Sequence, residues 1–235
     1  PLRDANFPRG FPWLKGAQQQ EAAVGNALID FAMDALWAAL LPPLAAGESR
    51  ASRPPTMVLF EFPEDLGPAK LGRPASPFAD PRLVGLVFQK VAFTGAFFQC
   101  ELAEFENAGE AIDYSKPTRL FTNIESLRPD LRLGLPKFAR DDRIHGEYQG
   151  PLPRLCSHSG HPPLIGRSEG GFKTQPTGAY PWGVCLWLGR RSVQFWRLNS
   201  LAAGSVRCGS AARTAHEAAA SIPPSGTAPA SAPTP

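Results

Sequence analysis

One cysteine and two histidines fall close together in C-S-H-S-G-H: Cys156, His158 and His161. Thiolate and imidazole are good zinc donors, and a structural zinc site takes four ligands. The spacings Cys-x-His and His-x-x-His can be served by one loop, so a fourth ligand must come from elsewhere. Cys100 is the leading candidate and Cys185 the alternative. Without a metal, the same run is a turn that holds two histidines.

Two further residues have the right chemistry in the right setting. Glu61 lies in F-E-F-P-E-D-L-G, directly after the apolar run Met57-Val58-Leu59-Phe60. A carboxyl group tucked against Phe60, Phe62 and Pro63 at the end of a buried strand is placed to act as a general acid. The competing reading is a Glu that caps a loop. Arg119, in Y-S-K-P-T-R-L-F-T-N, enters a strand and could bind a phosphate or a carboxylate, or form a structural salt bridge. There is no Gly-rich phosphate loop, no G-x-G-x-x-G and no His-Glu-x-x-His, and no Ser-His-Asp triad can be assigned.

The elements that must position these residues read as α/β. A helix is expected over Ala17–Leu41, stopped by Pro42-Pro43. Val24, Leu28, Phe31 and Ala35 share one helical stripe, and Ile29, Met33, Leu36 and Leu40 another. Asn26, Asp30 and Asp34 form a polar stripe read as the solvated face. A buried strand over residues 57–60 is expected to lie parallel to its neighbours, as helix, loop and buried strand suggest. Asp80 is an N-cap with Pro81 as first helical residue, opening a helix to about Lys90. Strands are expected over Val91–Cys100 and Thr118–Ile124, and the two could pair antiparallel. Residues 125–178 read as a loop-rich insert, and Pro181–Leu188 as the start of a short helix or strand.

Composition sets the limits. Gly and Pro together make up about a fifth of the 235 residues, while 43% are hydrophobic, including 15 Phe and 5 Trp. That supports a core and excludes wholesale disorder and collagen, while the prolines after residue 41 argue against an all-helical bundle. One domain is expected over residues 1–200, followed by a disordered Ala/Ser/Pro/Thr-rich tail over 201–235. Residues 101–115 carry a net −5 and residues 150–208 a net +6 within an overall +3. The basic stretch could face nucleic acid, or be scattered solvated Arg. The best membrane candidate, Ala35–Ala46, is short and contains two prolines, so no membrane span is expected. Four cysteines are too few for a disulfide scaffold, and no signal peptide is seen, so a reducing intracellular location, cytoplasmic or nuclear, is expected. A start at Pro1 suggests a fragment or a processed product. Nothing bears on oligomeric state.

Several blocks resemble a large uncharacterised family found in retroelement-rich protist genomes. They are P-L-R-D-A-N-F-P-R-G-F-P-W-L, V-G-N-A-L-I-D-F, F-E-F-P-E-D-L-G, K-P-T-R-L-F-T-N, G-P-L-P-R-L-C-S-H-S-G-H-P-P-L-I-G and T-G-A-Y-P-W-G-V-C, spread over roughly residues 1–190. That family is distantly similar to the cytosine-5 DNA methyltransferases. The resemblance sets Glu61-Phe62-Pro63 where those enzymes have Glu-Asn-Val. It sets Lys116-Pro117-Thr118-Arg119 at their Gln-x-Arg-x-Arg strand, and Gly178-Ala179-Tyr180-Pro181 at a late Gly-Asn-Ala-Val-Pro-Pro. It implies a partial Rossmann-like sheet with Glu61 as catalytic acid on a flipped base and Arg119 on the substrate. Phe62 replaces the Asn and one Arg remains of two. The strand for S-adenosylmethionine and the Pro-Cys nucleophile would precede Pro1, so activity is expected only in a longer parent. The resemblance also favours Cys100 and the Cys-x-His-x-x-His block as one zinc site. Two other readings stand beside it: a non-catalytic, zinc-stabilised nucleic-acid-binding module, and a decayed copy without function.

Overall fold

The computed structural model describes residues 2–44, 46–47, 55–64, 75–103, 114–138, 147–153, 155–158, 160–161, 167–168, 171–172 and 180–200. The expected tail over 201–235, and most of the acidic loop after Ala103, lie outside the described residues.

Mixed helix and sheet is what the chain forms. Helix α1 spans Gly16–Leu40 and stops just before Pro42. Strand β1 is Leu59–Pro63, helix α2 Pro81–Phe88, and strand β2 Phe93–Phe98. Helix α3, Gln99–Ala103, continues directly from β2, and β3 is Pro117–Thr122. A 3-10 turn at Glu125–Asp130 leads to the two-residue strand β4, Arg132–Leu133. Two small hairpins follow: β5 (Lys137–Phe138) with β6 (Tyr148–Gly150), and β7 (Arg167–Ser168) with β8 (Gly171–Phe172). Helix α4 covers residues 182–200.

The main sheet has the order β1-β3-β2-β4, and all its pairings are antiparallel. This corrects the expected parallel placement of β1. The strand also lies later than expected, so Glu61 sits within it rather than beyond its end. The β2–β3 pairing is antiparallel, as one expectation had it. The segment read as a loop-rich insert begins inside the sheet, because β4 is its fourth strand. Gly95 makes that possible: a Cβ there would stand 2.8 Å from the Leu131 Cβ and 3.3 Å from the Arg132 carbonyl oxygen.

Helices cover both faces. On one, Met33 and Leu36 of α1 and Leu83 and Leu86 of α2 pack with Phe121 and Phe78. On the other, Val184, Trp187 and Phe195 of α4 pack with Phe93, Phe97, Leu120 and Leu127. Trp187 donates to Asp130 Oδ2 at 2.7 Å, and Arg191 reaches the same oxygen at 2.6 Å, which locks α4 in place. Asp80 caps α2 by accepting from the Arg82 N–H at 2.9 Å.

Helix α1 buries one of its two apolar stripes. Val24, Leu28 and Phe31 are exposed, Phe31 by 73%, while Ala22, Met33 and Leu36 form its buried side. The polar stripe is a clamp as well as a wet face. Arg9 grips both Asp30 oxygens at 2.7 Å, Arg82 reaches Asp30 and Asp34, and Arg3 donates to Asn26 at 3.0 Å. In addition, α1 is long and apolar enough to cross a membrane by length and composition alone, with a mean hydropathy of 1.3 over its best 18 residues. The expectation of no membrane span rests on Ala35–Ala46, which overlaps only the last turns of this helix.

Candidate metal centre

Cys100 lies in the first turn of α3, buried where β2 runs into the helix. Cys156, His158 and His161 come from the loop beyond β6. One ligand atom from each of the four residues lies within 4.8 Å of all the others. Four donors at zinc–sulfur ~2.3 Å and zinc–nitrogen ~2.0–2.1 Å from one centre would stand roughly 3.3–3.8 Å apart. A small contraction therefore closes the set. Cys185 sits elsewhere, on α4, with its thiol 3.9 Å from the Tyr180 carbonyl oxygen, so the alternative fourth ligand is not needed.

One of the four ligand atoms is left without a partner in the protein itself. His161 Nε2 is buried without a hydrogen-bond partner. Buried polar atoms are rarely left so, and a metal is one remedy. The two imidazoles face each other edge to face, 5.7 Å apart. Burial first, and then the neighbouring Cys156 thiol, push the Cys100 thiol well above its usual range. A thiol that resists ionising in a bare pocket loses its proton outright when a dication binds. With four protein ligands no coordination position stays open for water, so the chemistry on offer is structural rather than hydrolytic.

The loop is anchored from two sides. Ser157 donates its backbone N–H and its hydroxyl to Glu101 Oε1, at 3.3 and 3.4 Å, and Arg132 approaches the same oxygen at 3.5 Å. Further in, the Leu152 N–H donates to the Tyr148 hydroxyl at 3.2 Å, and that hydroxyl donates to Glu64 Oε1 at 2.6 Å.

Glu64 is the partner of Arg119, which is fully buried. Arg119 Nε donates to Glu64 Oε2 at 2.6 Å, and its Nη2 to Glu64 Oε1. Its Nη1 serves the Gly134 carbonyl and Thr94. The Arg119 ring-face neighbour is Phe78, 5.5 Å from the guanidinium carbon. This corrects the expected substrate-binding role: the structural salt bridge is what the fold contains.

Glu61 and Arg119 do not share a site. Glu61 is in register with Leu120, and Arg119 with Phe62, so their side chains leave opposite faces of the sheet. Glu61 faces the α4 side, half-buried beside Tyr180, with its Oε1 lacking a partner. Burial, and then the Glu61 carboxylate, push the Tyr180 hydroxyl above its ordinary range. Lys116 Nζ lies 5.7 Å from the Tyr180 ring centre. Sequence reasoning missed Glu64, Tyr148 and Glu101. The signal was present for Glu64: it stands three residues after Glu61, and an odd step in a strand changes the face.

Compared with protein-family models, with curated proteins and with solved structures, the chain matches none.

Proposed function

We propose that this chain is a zinc-stabilised nucleic-acid-binding module acting inside the cell, in cytoplasm or nucleus. The observation that carries the reading is the convergence of Cys100, Cys156, His158 and His161. Such a site fixes a loop that has few apolar residues to hold it, and reduced thiols suit a reducing compartment. Its partner is inferred from charge, since residues 150–208 carry a net +6. The test is metal analysis of the purified chain, with X-ray absorption for geometry. One zinc per chain with two sulfur and two nitrogen ligands is expected. Zinc bound equally well by Cys156→Ser would overturn the site.

A second reading follows from Glu61. Its unpartnered carboxyl oxygen is a group that a reaction could use. In this reading the chain is part of a longer, retroelement-associated protein similar to cytosine-5 DNA methyltransferases. Its antiparallel sheet would extend a Rossmann-like sheet, and S-adenosylmethionine would bind to the rest of that parent. The chain alone should give no S-adenosylmethionine isotherm in calorimetry, and a clear one would sink this reading. In an active parent, Glu61→Gln should lower turnover with little loss of binding.

A further inference from the structure

We propose that the outward face of α4 is a stacking platform for single-stranded nucleic acid, with Trp182 and Trp196 taking bases and Arg190 and Arg197 taking phosphates. This rests on the nucleic-acid part of the proposed function and gives it a place on the molecule.

Helix α4 carries three arginines and no acidic residue over 182–200. One of them, Arg191, turns inward and is held by Asp130. At ~100° per residue, Trp182, Val193, Trp196, Arg190 and Arg197 fall within an arc of roughly 120°. That arc is opposite Val184, Trp187 and Phe195, which are in the core. The outward residues are open to water: Trp182 is 60% exposed, Val193 49% and Trp196 48%. The two indoles stand about 21 Å apart along the helix axis, with Val193 and the two arginines in the same arc, so they would take separate bases of one strand.

Charge selects the occupant. A helix whose own residues 182–200 include arginines and no acid favours a polyanion, and the indoles favour one whose rings are free to stack. Single-stranded nucleic acid offers both, through phosphates along a backbone and bases splayed from it. A duplex hides its bases. A membrane surface is the nearest competitor, because Trp and Arg also mark interfacial helices. There, however, cations occupy the face opposite the apolar one. In α4 the opposite face is spent on the core, and Arg190 and Arg197 share the indoles' own arc. Aromatic rings interleaved with guanidinium groups are the pattern of a stacking surface.

The test is fluorescence anisotropy of labelled oligo(dT) and oligo(rU) with the full chain, repeated across a salt series. Phosphatidylserine vesicles serve as a parallel probe. Both oligonucleotides should bind, with affinity falling as salt rises. Trp182→Ala and Trp196→Ala should each weaken binding about tenfold, as loss of one stacked base does. Arg197→Gln should reduce the salt slope by about 0.7. Circular dichroism and zinc content should match the parent chain in all three variants. If the parent chain binds oligonucleotide and the variants bind equally, this face is wrong and the proposed function stands. If the parent chain binds neither oligonucleotide, the nucleic-acid reading falls with it, whatever the zinc content. Vesicle binding without oligonucleotide binding would replace the partner with a membrane surface.

Discussion

Two polar groups are joined through Tyr148 and Leu152, and they are built on opposite plans. In the Arg119–Glu64–Tyr148 group each side chain is answered by another. The guanidinium meets a carboxylate, a carbonyl and a hydroxyl, and the carboxylate takes Tyr148 as well. In the Cys/His group the donor atoms gather and one is left unanswered. A buried charge with all its partners has no capacity left for a ligand. A cluster of soft donors with an orphaned nitrogen still has it. Completeness of hydrogen bonding therefore separates a structural polar group from a binding one more sharply than burial does.

The largest expected effect tests the closed group. Arg119→Met leaves Glu64 buried without its charge partner, which typically costs about 3–5 kcal/mol. Urea unfolding measures this, and a loss below about 1 kcal/mol would break the contrast. Tyr148→Phe takes one bond from the same carboxylate and should cost about 1–3 kcal/mol. Next comes the open group. Removing zinc with a chelator should lower stability by about 3 kcal/mol relative to a hundredfold zinc excess over its dissociation constant. Hydrogen exchange should then rise around residues 147–161 and stay low in β2 and β3, whereas Arg119→Met should loosen the sheet itself. Asp80→Ala removes the N-cap of α2, a residue in neither group, should cost about 1 kcal/mol, and should leave zinc content unchanged.

The smallest effect concerns acid. Arg9 and Arg82 hold the Asp30 carboxyl well below its ordinary value of 3.8. A lowered folded-state value means that the unfolded chain binds the proton more tightly. This contribution is thus complete above about pH 5 and is lost as pH falls through the acid range. Asp30→Asn should flatten the acid side of a stability-versus-pH curve measured by thermal melts, while leaving the neutral side lower by a constant amount.

What could be read from the sequence was local. Asp80 followed by Pro81 fixes a helix start with its own atoms, and the structure has that cap. The three ligands within Cys156–His161 share a loop, so their spacing was informative. Cys100 is more than fifty positions away, and spacing alone could not choose it over Cys185. Faces and pairings are the opposite case. Helix α1 is apolar on two sides, so periodicity could not say which side meets the sheet. Strand direction depends on which partner lies between which, and β1 finds β3 across 55 to 63 positions that include β2. Glu61 and Glu64 are an odd step apart and so take opposite faces, but which face meets α4 depends on the register, because one residue of shift exchanges the faces.

The strand order has a further consequence, for how the chain assembles in time. In β2–β3 the paired residues are 19 to 29 positions apart, and in β1–β3 they are 55 to 63 positions apart. Because β3 stands between the other two, neither β1 nor β2 has a neighbour until residue 117 has been made. A nascent chain that has reached residue 100 thus holds α1, α2 and two strands with no sheet to join. The shorter loop closure favours the β2–β3 hairpin first, with β1 docking onto its free edge afterwards. Until then that edge, with Phe121 and Leu120 on it, is open to other chains. Cells making this protein would meet that open edge during synthesis.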